Sequence, residues 1–479
     1  MKIIFGSRRH HYLARASIFL IMVALIAGMV GCGGGGGDGD GGSYTLTVDL
    51  TAGGIVTVNS AQNNVPIAGK AMFIYDPGTV VSLNATPDVG YQFVEWTGNV
   101  STVANVTAAI INITMNGNYL ITANFGLEVY DWYDLNATRD SLDGHHILMN
   151  DLNSTTAGYT ELASPTANGG KGWQPIGTFN TTFTGIFDGQ GYEIRDLFID
   201  RPDGYYVGLF GVVYEGGVIQ DISVVNITVT GYDRVGGLVG GNAGTINTCY
   251  STGSVTGNNF TGGLVGGSRN GTISESYAIG NVTGSNWIGG LVGSMNETTV
   301  VSNSYSTGSM TGDYYVGGLV GVSVNCTVSN CYATGTETGS IDVGGLMGLN
   351  VGSVSNSYST GSVTGTSGSF AVGGLVGWNA WGTIDNCYST GSVSGNASIG
   401  GLVGENTGTV SNSFWDIQTS GQNISAGGTG KNTTEMQDII TFSGATWNIT
   451  TVGGIGERNT TYIWNIVNTM TYPFLSWQP

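Results

Sequence analysis

Apolar residues along this chain come in short runs broken by glycine, with no helical spacing. From Tyr44 to Phe125 they alternate with polar ones, as in Tyr44-Thr45-Leu46-Thr47-Val48 and Thr79-Val80-Val81-Ser82-Leu83. That period of two predicts half-buried strands. Asp76-Pro77-Gly78 and Pro87-Asp88-Val89-Gly90 punctuate them as turns, because Pro presets φ and Gly supplies φ > 0. Further on, a hexapeptide recurs, written in full as Val235-Gly236-Gly237-Leu238-Val239-Gly240. Its leucines are Leu209, Leu238, Leu264, Leu291, Leu319, Leu346, Leu375 and Leu402, spaced 26 to 29 residues apart. A second motif, Thr245-Ile246-Asn247-Thr248-Cys249-Tyr250-Ser251-Thr252-Gly253-Ser254-Val255-Thr256-Gly257, follows each of the six middle copies. Self-similarity at this period predicts a solenoid whose repeats bury their faces only against neighbours. The expected fold is all-β: a right-handed parallel β-helix of about eight coils of roughly 28 residues, each coil built of about three short strands.

Aligning the copies stacks like on like. Four residues before each tyrosine stands Ile246, Ile273, Val301, Val328, Val354 or Ile384, and one residue before it Cys249, Ser276, Ser304, Cys331, Ser357 or Cys387. The tyrosines are Tyr250, Tyr277, Tyr305, Tyr332, Tyr358 and Tyr388. Facing outward, at the ~4.8 Å spacing of paired strands, they would form an aromatic stripe suited to sugar faces; facing inward or lying under loops, they are scaffold. Five residues further comes an apolar ladder, Val255, Val282, Met310, Val363 and Val393, interrupted by Glu337. A one-residue shift would turn Glu337 to solvent, so Glu337→Val is expected to be tolerated. Cys249, Cys331 and Cys387 never fall in adjacent coils, which puts them beyond the ~7 Å Cα limit of a disulfide. They read as small fillers interchangeable with Ser; Cys326 lies in the same repeat as Cys331.

Composition changes the picture by exclusion. Glycine accounts for 83 of 479 residues and charged residues for 9%, with a formal net charge of −19. The negative sign excludes a nucleic-acid binder, which needs a basic face. Eight prolines exclude collagen, and 40% hydrophobic residues exclude disorder. Residues 1–31 differ from the rest: Lys2, Arg8, Arg9 and Arg15 precede an apolar run from Ile18 to Val30, the layout of an export signal. Met29-Val30-Gly31-Cys32 resembles the lipobox of bacterial lipoproteins, which implies acylation of Cys32 as the new N-terminus. A plain secretory signal is the alternative. Residues 32–43 are a Gly-rich tether. Cleavage before Cys32 would remove four positive charges and take the net charge from −19 to −23.

Two further resemblances organise the rest. Tyr75-Asp76-Pro77-Gly78-Thr79, Gly90-Tyr91-Gln92-Phe93-Val94-Glu95-Trp96 and Ile121-Thr122-Ala123-Asn124-Phe125 make residues 44–126 resemble the internalin B-repeat, a small β spacer or adhesive unit. The Gly-Gly-Leu-Val-Gly and Cys/Ser-Tyr-Ser-Thr-Gly motifs make residues 206–415 resemble the GLUG repeat family of exported surface proteins. Residues 127–205 then form an N-terminal cap with the first coils. Residues 416–479 form a C-terminal cap in which Trp447, Trp464 and Tyr472-Pro473-Phe474-Leu475-Ser476-Trp477 close the open end. The resemblance implies a non-catalytic, lipid-anchored cell-surface or outer-membrane protein. Its role would be adhesion, glycan or protein binding, or envelope structure, with the membrane reached only through the anchor. A carbohydrate-active enzyme and an inert spacer are the alternatives. For an enzyme, Asp188, Glu193 and Asp196 come nearest to the acid pair that glycoside hydrolysis needs; Asp233, Asp313, Asp342 and Asp385 are scattered, and His145-His146 lacks a neighbouring nucleophile. No catalytic set, metal site or cofactor is expected.

Overall fold

The computed structural model describes residues 42–61 and 64–478; the expected export signal, Cys32 and most of the expected tether lie outside them. The chain first builds two four-stranded sheets from β1 (Tyr44–Leu50), β2 (Gly54–Asn59), β3 (Asn64–Ile67), β4 (Ala71–Tyr75), β5 (Val80–Pro87), β6 (Tyr91–Gly98), β7 (Ile110–Thr114) and β8 (Tyr119–Val129). One sheet runs β4-β1-β8-β6 and the other β3-β2-β5-β7. Alternation puts Leu46, Val48, Ile121 and Ala123 of the first against Val56, Val58, Val81 and Leu83 of the second. Trp96 completes this core, and its indole N–H, buried with it, donates to the Ala108 carbonyl at 2.9 Å.

β8 does not stop at the edge of this module. Its last four residues pair in parallel with β9 (His145–Leu148), from Gly126↔His145 to Val129↔Leu148. β9 pairs in turn with Ile186–Asp188, and that strand with Val218–Gln220. One sheet therefore runs from the module into the solenoid, and the expected boundary after residue 126 falls inside a strand.

The coils at Leu209, Leu238 and Leu264 each carry four short strands in place of the three expected. In the coil at Leu238 these are Asp233–Gly236, Val239–Asn242, Thr245–Asn247 and Tyr250–Thr256. The middle two belong to one large parallel sheet and the outer two to a second. The reason lies at the corners. Thr248, Glu275, Asn303, Asn330, Asn356, Asn386 and Asn412 all take left-handed φ between 45° and 55°, a region Asn tolerates better than other L-residues. That corner ends one strand and starts the next, dividing what reads as a single segment. Inside, Ile246, Ile273, Val301, Val328, Val354 and Ile384 pair in unbroken register and are buried with the leucines in one continuous core. Burying each such side chain contributes roughly 1.5–3 kcal/mol. The Gly-Gly step is required by close approach: a Cβ at Gly290 would lie 2.0 Å from the Gly318 carbonyl oxygen of the next coil.

Just past each corner, the Cys/Ser position forms a hydrogen-bond ladder. The hydroxyls of Ser276, Ser304 and Ser357 each donate to the carbonyl two residues earlier at 2.7 Å, and the thiols of Cys249 and Cys331 do the same at 3.1 Å. The Cys331 N–H donates to Ser357 Oγ in the next coil at 3.1 Å. This explains the interchange, and the four described cysteines are buried and unbridged. Burial pushes the Cys331 thiol up to about 12, so it should stay inert to a thiol reagent until the protein unfolds. Cys331→Ser is expected to change stability by less than about 0.5 kcal/mol. Thermal melts and a native thiol titration check both statements, and rapid labelling of the folded protein would contradict them.

Two expectations are corrected here. Glu337 is not turned outward by any shift: Met310, Glu337 and Val363 stand in direct register, and Glu337 is fully buried beside an apolar cluster. Neither carboxylate oxygen has a partner, and burial raises its pKa well above the usual range. Second, Trp447, Trp464 and the last residues do not close the end of the helix. Trp415, the strand Thr429–Lys431 paired on Phe414–Asp416, and the bond from the Gly401 N–H to the Ile424 carbonyl do that. The remaining residues, 432–478, fold back along the side of the solenoid. At the opposite end, Trp132, Trp173, Phe183 and Phe187 fill the first coils.

Candidate functional site

The six tyrosines form the ladder expected of them. Successive ring centroids stand 4.6, 4.6, 4.8, 5.1 and 4.8 Å apart, and their planes differ by only 1–9°. The rings project from the outer face of the second sheet. Because they stack face to face, their π-faces are used on one another, and what remains outside is ring edge and phenolic hydroxyl. The residues 432–478 cover the far half. Trp464 packs on Tyr358 and Tyr388, Trp477 on Tyr305 and Tyr332, and the Tyr388 hydroxyl donates to the Pro473 carbonyl at 2.5 Å. Tyr332, Tyr358 and Tyr388 are consequently buried, while Tyr250, Tyr277 and Tyr305 are half-buried. The Tyr250 hydroxyl donates to Glu193 Oε1 at 2.6 Å. Burial, reinforced by the neighbouring tyrosines, pushes Tyr277 and Tyr305 up to about 12. The far half of the ladder is a dock for the C-terminal residues.

The acidic residues do not converge. Asp188 and Glu193 lie on different sheets. Asp188 accepts from the side chain and backbone of Gln190, Glu193 pairs with Arg195, and Asp196 accepts from Asn226 at 2.7 Å, which holds its carboxyl below the usual range. Asp313 and Asp385 accept from serine hydroxyls, Asp233 pairs with Arg234, and burial, aided by the Glu405 charge, pushes Asp342 up to about 7. His146 is fully buried, its Nε2–H donating to the Ser141 carbonyl at 2.7 Å, and His145 is half-buried beside it in β9. Burial lowers both imidazoles. Among the described residues, no three His, Cys, Asp or Glu side chains gather as a metal site would require.

A second ladder went unread in the sequence. Four residues before Leu238, Leu264, Leu291, Leu319 and Leu346 stand Arg234, Phe260, Trp287, Tyr315 and Asp342, all with left-handed φ of 49–58°. Tyr206 takes φ 58° one coil earlier. Bulky residues rarely occupy this region. The turn folds their side chains over the outer face of the first sheet. Phe179 stacks on Tyr206 at 5.7 Å; the Arg234 guanidinium lies over both Tyr206 and Phe260, at 5.1 and 4.6 Å; Phe260 stacks on Trp287 at 4.3 Å. Alongside runs an open trough of about 520 Å³, with Gly241 and Gly267 in its lining and Tyr214 and Arg269 on the far wall. The signal in the sequence is positional: the site four residues before each leucine repeats a conformation without repeating a residue type.

Known proteins align with these same parts. Residues 312–338 and 368–394 match the GLUG motif. Residues 44–128 match the divergent InlB B-repeat domain. Of similar chains, a "Putative Gly-rich membrane protein" of Evansella cellulosilytica is 43% identical over 337 residues, covering 60% of this chain and 39% of that protein. Halomucin of Haloquadratum walsbyi is 33% identical over 229 residues, covering 45% of this chain and 2% of that protein. The chain thus spans well under half of the length of either relative. Of solved structures, a "putative immunoglobulin A1 protease" from Bacteroides ovatus aligns at 18% identity with a TM-score of 0.40, over 74% of this chain and 93% of that one. An "IgA1 Protease" aligns at 16% identity with a TM-score of 0.35, over 75% of this chain and 28% of that one. No helix of the described residues is long and apolar enough to cross a membrane.

Proposed function

We propose that this chain is a non-catalytic cell-surface solenoid that binds an external glycan or protein ligand, held to the membrane by acylated Cys32. The observation that carries the reading is the open trough on the side of a rod whose two ends are both covered. A rod of stacked coils offers long lateral faces for contact. Asp188, Glu193, Asp196 and His146, by contrast, are engaged with separate partners. The names of the two relatives, a membrane protein and a halomucin, support a place at the cell surface.

The test is binding of the chain from residue 32 onward to a glycan array and to whole cells, with polysaccharide degradation measured in parallel. Saturable binding without degradation is expected; depolymerisation of any bound glycan would overturn the non-catalytic reading. The anchor is tested separately. In detergent phase separation, Cys32→Ser is expected to move the exported protein from the detergent to the aqueous phase, and an unchanged partition would exclude lipidation at Cys32.

A further inference from the structure

We infer that the trough beside Tyr206, Arg234 and Phe260 is the ligand site, and that its ligand is a carboxylate-bearing polysaccharide. This rests on the surface-binding reading above and names the site and the ligand class within it.

The first observation is the trough's floor. Its outward-facing register position runs Val212, Gly241, Gly267, Ser294, Val322, Leu349, Trp378 and Glu405 from coil to coil. The later coils show that the fold accepts large side chains there. Gly267 is not demanded by backbone geometry, since it is not among the positive-φ glycines. Nor is it demanded by crowding, because a Cβ would meet only the Arg234 side chain, at 3.7–3.9 Å, ordinary contacts. Glycine at 267 therefore leaves room for the Arg234 side chain to lie across the floor and keeps the trough open beside it.

The second observation is charge. The chain holds 32 acidic residues against 13 Lys and Arg, yet no Asp or Glu lines the trough, and Arg234 and Arg269 both do. Each guanidinium has one acidic neighbour set outside the lining, Asp233 or Glu297. That neighbour holds the planar fork in place, with other N–H groups left to donate to a carboxylate. The remaining walls alternate aromatic rings (Phe179, Tyr206, Phe260) with small polar groups such as Asn296 and Ser268. Apolar ring edges against sugar C–H groups, amides and hydroxyls against sugar hydroxyls, and guanidinium against carboxylate together describe a chain of uronic acid units. An uncharged glycan would leave the arginines unused.

The test compares binding of a hexameric galacturonate oligosaccharide and of cellohexaose to the wild-type chain, Gly267→Leu and Arg234→Gln, by titration calorimetry. The expected result is measurable galacturonate binding by the wild type, at least tenfold weaker binding by both variants, and weaker binding of cellohexaose. Gly267→Leu copies the residue that already stands in this register at Leu349, so its melting temperature should stay within a few degrees of wild type. Equal galacturonate affinity in a folded Gly267→Leu variant, or equal wild-type affinity for cellohexaose, would overturn the assignment. If the wild type binds array glycans or cells but not the galacturonate hexamer, the trough assignment fails while the surface-binding reading stands; binding to neither removes both.

Discussion

Glu337→Met makes the protein more stable, and the gain grows as the pH rises. The buried Glu337 carboxyl lacks a hydrogen-bond partner for either oxygen, and burial raises its pKa well above 4.5. Below pH 4.5, the carboxyl is protonated in the folded and unfolded chains alike, and only the unpaired polar group costs stability, about 1–3 kcal/mol. Above that, the unfolded chain releases the proton while the folded one retains it. Stability then falls by about 1.4 kcal/mol per pH unit until the folded carboxyl itself ionises. Met310 occupies the same register one coil earlier, so methionine fits. Denaturant melts of both proteins at pH 5 and pH 8 measure the gap, and a gap that does not widen with pH would refute the assignment. Asp342 acts with the same sign: its stability contribution is lost as pH rises from 3.8 towards about 7, and Asp342→Asn should flatten that part of the profile.

The second large effect lies in the C-terminal residues. Trp464 is fully buried between Tyr358, Tyr388 and Trp447. Trp464→Ala is expected to cost about 3–5 kcal/mol locally. The loss falls on a small cluster that packs on the solenoid from outside, separate from its interior core. Residues 432–478 should therefore open while the coils stay folded. Hydrogen exchange would rise in that segment, while the solenoid strands, whose Tyr358 and Tyr388 amides bond to the preceding coil, stay protected. Uniform exposure of the whole chain would mean that the segment is part of the solenoid's cooperative unit.

The parts of the molecule that repeat by residue type could be read without coordinates. The leucines, the Ile/Val ladder and the Cys/Ser-Tyr step fixed both the period and the stacking, because each position meets its own kind in the next coil. What repeats only by conformation stayed hidden. The left-handed corners, at Thr248, Glu275 and then five asparagines, share φ, and that Asn-rich turn was legible as a break in the alternation but not as the start of a further strand. The ladder from Arg234 through Phe260 to Asp342 escaped because its positions share φ but not residue type. The outward direction of the tyrosines was open because that corner interrupts the alternation. Their face-to-face stacking, once seen, removes the aromatic faces that had suggested sugar binding there. Glu337 shows the opposite case: the ladder placed it inside, and its charge argued for an escape that the register does not provide.

β8 has a mechanical consequence. It pairs in parallel with β1 through five registered residues, Leu46↔Tyr119 to Leu50↔Ala123, and then continues into the solenoid through β9. A pull between the segment ahead of Tyr44 and the solenoid loads β1 at its N-terminal end and β8 at its C-terminal end. In parallel strands those forces point in opposite directions along the same axis. The hydrogen bonds between them are then sheared together, so they must break as a group and cannot be unzipped one at a time. A protein held at one end and gripped along its side by a ligand would meet that load through its strongest geometry.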